Sequence, residues 1–410
     1  MQSIAAVSPQ ILNIPSATSI PLQKNALPST LFLDGLRGLA ALYVLLRHVT
    51  WLYTPSSASP IWREIYRTLE HFFFYGHMAV IFFFVLSGFV IHLRYARQLH
   101  DHPDDAKLGW GSFVFRRARR LYPPLLAAVL ITSIFDRASG ALSLPNYYIS
   151  RGEEFAFLRP AILFNHEPLT FLGNFAFLMQ MHVPVWGSDS PLWSLAYEWW
   201  FYMLYPLLWQ LTRRSIWLAS GVVLVGLLIT RLPGNWPLIQ DGTYPFSGWN
   251  MFSLPRRILG ALPAWWCGVL LADVYSGRIR ISFKNLSWLT FALGAMFFRH
   301  LPEVHKALAA GIGFCGVISF GFYLQERNFP LAFFNKLKFL GDFSYTLYVT
   351  HLPVIIFLTP FWTLRVRGKF AGAAPLGLLV ITIVPLIIAY LVHLVAEVPF
   401  TRSHKPKPMK

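Results

Sequence analysis

The segment Leu31–Tyr53 reads LFLDGLRGLAALYVLLRHVTWLY and embeds Asp34, Arg37 and His48 in a largely apolar run. In an α-helix the eleven-residue step from Arg37 to His48 is about 1100°, which leaves the two side chains only ~20° apart around the axis and roughly 16 Å apart along it. Asp34 precedes Arg37 by one turn on the same side. A carboxylate, a guanidinium and an imidazole on one stripe offer charge compensation, anion binding and proton transfer. The plain alternative makes Asp34 and Arg37 an ion pair at the helix start and His48 an interfacial residue; the shared face weighs against it, because a polar stripe in hydrocarbon must face protein or water.

Three further segments carry chemistry. DSPLWSLAYEWWFYMLYP spaces Ser194, Glu198, Tyr202 and Tyr205 for one helix and sets a carboxylate inside an apolar stretch. Glu198 is a candidate to orient or charge-stabilise a histidine; otherwise it is a buried glutamate satisfied by tyrosine hydroxyls or by arginine. FSYTLYVTHLP puts Ser344, Tyr348 and His351 at i, i+4 and i+7, a pattern that fits a supporting polar face and fits packing equally. FVFRRARRLYPP carries Arg116, Arg117, Arg119 and Arg120 one turn before a helix start expected at Pro123-Pro124. Such guanidiniums fit the phosphates of a nucleotide cofactor, and they fit topology determinants or contacts to anionic lipid as well. No Gly-rich phosphate loop, GxSxG elbow or HExxH is present, and no metal site is expected.

The elements that must position these residues are membrane spans. Of 410 residues 55% are hydrophobic and only 13% charged, against roughly 25% charged in an ordinary soluble domain. The net charge of +17 sits in short loops between apolar runs rather than along one polar face, which argues for membrane orientation and against nucleic acid. Cys267 and Cys315 lie in apolar stretches without metal or redox spacing. Apolar runs read as spans occur at Leu31–Tyr53, Phe72–Leu93, Leu121–Phe135, Trp193–Leu211, Ile216–Thr230, Ile258–Val274, Leu286–Phe298, Ala307–Leu324, Phe343–Phe361 and Pro375–Val395, the third and seventh short as written. The expected fold class is an all-α polytopic membrane protein, a bundle of about ten transmembrane helices. Phe171–Met181 is apolar but too short to span, so a re-entrant or interfacial segment is expected.

The stretch Arg94–Arg120 holds seven basic residues, whereas the longer Asp136–Ser190 holds three. The first should be cytoplasmic and the second outside, with both termini cytoplasmic in a cell (inner) membrane. Arg365, Arg367 and Lys369 run against this count. The expected division is a flexible tail over 1–30, a transmembrane domain over 31–400 and a basic tail over 401–410.

Taken together these segments resemble the membrane-bound acyltransferase-3 family, multi-pass O-acyltransferases that modify lipopolysaccharide, exopolysaccharides, Nod factors and macrolides. The resemblance rests on Arg37 and His48 in LDGLRGLAAL...LRH, on FFFVLSGFVI with Ser87, Gly88 and Phe89, on RRARRLYP, WSLAYEWWFY and SYTLYVTH, and on the terminal EVP with Glu397. It implies acyl-CoA as a donor substrate with no tightly bound cofactor, a carbohydrate or other hydroxylated acceptor, His48 as catalytic base and Arg37 essential beside it. Arg116, Arg117, Arg119 and Arg120 are then expected to hold the CoA phosphates, with Glu198 compensating the imidazolium. Asp34, Ser87, Ser194, Tyr202, Ser344, Tyr348 and His351 are expected as substrate-contacting or supporting residues. Some members carry an appended SGNH-type domain, which is not expected here; a separate extracytoplasmic partner is the alternative. The rival class is a secondary transporter that uses the same buried charges.

Overall fold

The computed structural model describes residues 27–53, 59–142, 144, 165–230, 253–300, 306–363 and 374–401. Most of both expected tails, the Arg365–Lys369 loop and much of the expected outer loop after Asp136 lie outside the described residues. The described chain is helical: α1 Leu31–Leu52, α2 Pro60–Phe73, α3 Gly76–Asp101, α4 Trp110–Ala141, α5 Pro168–Phe175, α6 Trp193–Arg214, α7 Ile216–Ile229 and α8 Ser253–Tyr275. There follow α9 Phe283–His300, α10 Lys306–Glu326, α11 Ala332–Lys336, α12 Lys338–Asp342, α13 Ser344–Thr363, α14 Ala374–Ala396 and α15 Val398–Thr401. Among the described residues there is no strand beyond one isolated bridge, Met179 to Val183.

Each expected span falls on a helix. Those on α3, α4, α8, α10, α13 and α14 are long and apolar enough to cross a membrane by length and composition, whereas α7 is apolar but has only 14 residues. The helices α1, α6 and α9 fall short of that apolarity, and α1 and α6 carry Asp34, Arg37, His48 and Glu198.

One expectation is revised in detail. The helix expected to start at Pro123-Pro124 begins at Trp110 and runs through both prolines, so the four arginines are intrahelical. The prolines lack the N–H groups that would bond the carbonyls of Arg119 and Arg120, a loss tolerated in a helix where neighbouring groups take over the freed carbonyls. The segment Phe171–Met181 is a short helix followed by tight turns, with Phe177 and Gln180 at φ 53° and 57°. Asn174 locks it by donating to Thr170 O at 2.8 Å and Pro184 O at 2.9 Å, while accepting from Trp186 N at 3.1 Å. Asp136 near the end of α4 holds residues on either side of that segment: its carboxylate accepts from Ser188 Oγ at 2.6 Å and Ser188 N at 3.0 Å, with His166 Nε2 3.2 Å away.

Between helices the closest approaches use glycine. A Cβ on Gly88 of α3 would run into the Trp265 carbonyl oxygen of α8, and one on Gly268 would meet Val85 O and Phe89 N. On α1 a Cβ at Gly38 would come within 2.6 Å of Gly341 N in α12, and one at Gly35 would overlap Phe334 O. Within a bilayer, association gains little from excluding water, so close backbone packing through small residues carries it. These contacts lay α3 along α8 and α1 across α12, and α1 also packs on α3 and α13. The buried rings of Phe201 and Tyr205 on α6 meet Trp265 of α8 with centroids 5.7 and 5.8 Å away.

Candidate active site

A partly open cavity runs between α1, α3, α4, α6 and α13. At one end stand Asp34 and Arg37 from the first turns of α1, Arg120 from α4, and Ser344 and Tyr345 from the start of α13. Toward the other end are Phe83, Ser194 and Tyr348, and between them Ser87, Glu198 and Tyr202. Thus five helices bring Asp34, Arg37, Ser87, Arg120, Ser194, Glu198, Tyr202, Ser344 and Tyr348, of the residues singled out in the sequence, to one space.

The Arg37 guanidinium is 3.5 Å from Asp34 and donates through Nη2 to Gly341 O at 2.7 Å. Ser344 Oγ donates to the same carbonyl at 2.7 Å. That geometry depends on the glycine contacts between α1 and α12, because a side chain at Gly38 or Gly341 would push the carbonyl away. Glu198 Oε1 accepts from Tyr202 OH and, at 3.4 Å, from Ser87 Oγ, which in turn accepts from Trp265 Nε1 at 3.3 Å. Arg120 lies within electrostatic reach of Glu198, Tyr202 and Glu397. The cavity therefore sets two guanidiniums against two carboxylates, Arg37 and Arg120 against Asp34 and Glu198.

The four arginines have different surroundings: Arg116 and Arg120 lie one turn apart on one side of α4, and Arg117 and Arg119 flank that side. Arg120 lines the cavity, and Arg117 lies over the rings of Phe113 at 5.3 Å and Tyr202 at 5.6 Å. Arg119 donates to Pro399 O at 3.5 Å, and Arg116 is exposed one turn before Arg120.

His48 and His351 do not line the cavity; they form a couple one turn beyond it. Tyr348 is the connection, since it lines the cavity and its ring is 6.3 Å from that of His351. Its hydroxyl donates to Pro191 O at 3.1 Å and accepts from Ser194 Oγ at 2.8 Å. His351 Nε2 stands 3.0 Å from His48 Nδ1, with ring centroids 5.0 Å apart. His351 is buried and His48 half-buried. Among the described residues the imidazole partner of His48 is thus His351, whereas the hydrogen bonds to Glu198 come from Tyr202 and Ser87.

Two buried networks were not singled out as sites. His92 on α3 bridges Tyr205 OH at 2.8 Å and Asp273 at 3.0 Å, and Arg278 pairs with both oxygens of Asp273 at 2.7 and 2.9 Å. On α14 and beyond, Glu397 Oε2 is 2.8 Å from His393 Nδ1 and accepts from Thr346 Oγ1 at 2.6 Å. The rule that picked out α1, an ionisable group inside an apolar span, applies equally to His92, Asp273 and His393. No group of three or more metal-ligating side chains gathers among the described residues.

Residues 30–394 match the Acyltransferase domain family. The putative peptidoglycan O-acetyltransferase YrhL of Bacillus subtilis is 24% identical over 80% of this chain and 49% of its own length. The peptidoglycan O-acetyltransferase OatA of Listeria monocytogenes is 24% identical over 80% of this chain and 50% of its own. Nodulation protein 10 of Rhizobium leguminosarum bv. viciae is 26% identical over 62% of this chain and 63% of its own. The chain spans about half the length of the two peptidoglycan O-acetyltransferases. No solved structure matches. With the family covering nearly every described helix, the chain is an all-α polytopic membrane protein that belongs to the Acyltransferase domain family.

Proposed function

We propose that this protein is a membrane-embedded O-acyltransferase that moves an acetyl-type acyl group from acyl-CoA to a hydroxyl of a glycan, a polysaccharide precursor or a similar acceptor. The observation that carries the reading is the His48–His351 couple one turn from a cavity that presents Arg37, Arg120 and Glu198. Acyl-CoA enters at the Arg37 and Arg120 end, where guanidiniums meet phosphate or thioester dipoles, and the acyl arm runs past Ser87 and Glu198 toward Tyr348. His48 takes the proton of the acceptor hydroxyl, whose oxygen attacks the thioester carbonyl. Collapse of the tetrahedral intermediate breaks the C–S bond, and His48 returns its proton to the departing sulfur. Glu198 compensates Arg120 and orders Tyr202 on this route. The acceptor class follows two relatives named as peptidoglycan O-acetyltransferases, and the acceptor lies on the extracytoplasmic side.

The test is acetyl-CoA turnover by the purified full chain in lipid nanodiscs, followed as free CoA. Turnover above protein-free nanodiscs that is lost in His48→Gln is the expected result. Absence of CoA release with intact, monodisperse protein overturns the reading and returns the buried charges to solute or proton transport.

A further inference from the structure

The two histidines of the couple have a proton inventory that the surrounding carbonyls determine. His351 Nδ1 is 2.9 Å from Leu347 O, and a carbonyl only accepts, so Nδ1 carries the hydrogen. A neutral imidazole has one N–H, which leaves His351 Nε2 as a bare lone pair. That lone pair is 3.0 Å from His48 Nδ1, which is also 3.0 Å from Val44 O. Two acceptors therefore share one donor, the Nδ1–H of His48, and the remaining nitrogen of His48, Nε2, is unprotonated.

The arrangement also decides where an added proton goes. On His351 Nε2 it would set two N–H groups against each other across 3.0 Å. On His48 Nε2 it leaves every hydrogen bond in place and turns the Nδ1–H donor cationic, which strengthens its bond to the His351 lone pair. The charged and titratable neighbours are Arg47 on α1 and Tyr348 on α13. The Arg47 guanidinium is turned onto the Trp51 and Phe74 rings at 5.7 and 5.3 Å. The Tyr348 hydroxyl bonds Ser194 and Pro191.

We infer that His351 is the positioning residue of the reaction: by accepting the Nδ1–H of His48, which Val44 O already fixes on that nitrogen, it orients the ring and raises the basicity of the Nε2 that takes the acceptor's proton. The inference rests on the reading of His48 as base. In a serine hydrolase a buried carboxylate does this; a neutral imidazole does it here without a second buried charge inside the bilayer, where a carboxylate is costly. The proton gained at Nε2 is the one later delivered to the CoA sulfur, so the couple returns to its starting state each cycle.

Diethyl pyrocarbonate, which carbethoxylates unprotonated imidazole nitrogen, reads the His48 lone pair with no acyl-CoA present. The full chain is labelled in nanodiscs at a pH where free imidazole is neutral, and the His48 peptide is followed by mass spectrometry. In His351→Phe, which removes the acceptor and keeps ring volume, carbethoxylation of His48 slows about tenfold, the scale of one lost charge-assisted hydrogen bond. In His351→Gln, whose side-chain carbonyl still accepts, it stays near wild type. The kcat for CoA release follows the same order while KM for acetyl-CoA holds. His351→Leu replaces the Phe variant if that one does not elute as a monodisperse species. Equal His48 labelling in wild type and His351→Phe overturns the inference, as does a fall in CoA release without a change in labelling. An unlabelled His48 in wild type overturns it as well. Labelling that behaves as expected in a protein that releases no CoA leaves the couple standing and removes the acyltransferase reading.

Discussion

His48 and Arg120 carry different parts of the proposed chemistry, and their substitutions separate. A general base contributes about 10²–10⁴-fold, so His48→Ala is expected to lower kcat for CoA release by that range while the protein inserts and elutes normally. An imidazole that acts as base is neutral, so the wild-type rate falls on the acid side of its profile; a rate indifferent to acid would remove His48 from the mechanism. Arg120 lines the cavity and Arg116 is exposed one turn away. Arg120→Gln is therefore expected to raise KM for acetyl-CoA about tenfold or more, the loss of one charge-assisted phosphate contact, and Arg116→Gln to raise it by less. Equal effects of the two changes would return the box to a topology role. Arginine identity was legible in the sequence; the division of labour was not, since it depends on where α4 lies against α6 and α13.

At the scale of elements, the backbone contacts between helices set the site. Gly88 meets the Trp265 carbonyl, and that approach brings Ser87 Oγ to 3.3 Å from Trp265 Nε1 and 3.4 Å from Glu198. Gly88→Val forces α3 and α8 apart at a cost of about 1–3 kcal/mol, typical of overpacking. A lower thermal midpoint in detergent and reduced turnover are expected together, and an unchanged midpoint would show that the two helices do not rely on this contact. Gly140 has no atom within 4 Å of an added Cβ, and Gly140→Ala is the matched control, expected to leave the midpoint unchanged. The Pro123-Pro124 pair shows how a local rule gives way to context: as a start signal it marks a helix beginning, yet α4 passes through it and packs against α13 and α6.

For the whole molecule, the charge count predicts that Arg94–Arg120 faces the cytoplasm and Asp136–Ser190 the outside. A cysteine placed at Asp104 is expected to stay unlabelled by an impermeant reagent and one at Ser150 to label; the reverse pattern would invert the topology and move the donor mouth outward. What the sequence determined by itself is the class of the protein and most of the polar inventory. Apolar run length, sparse charge and the helical period place Asp34 and Arg37 on the stripe of α1, Glu198 on α6 and His351 on α13 with no knowledge of their neighbours, because each depends only on spacing within one helix. What only the tertiary structure decided is who meets whom. His351 stands 303 residues from His48 in the chain and 3.0 Å from it in space, while Glu198, expected beside the histidine, is held by Tyr202 and Ser87. A helical period fixes the angle of a side chain about its own axis, but the partner it meets follows from the rotation and depth of the facing helix. Those are set by the glycine contacts of α1 with α12 and of α3 with α8, which no single helix contains.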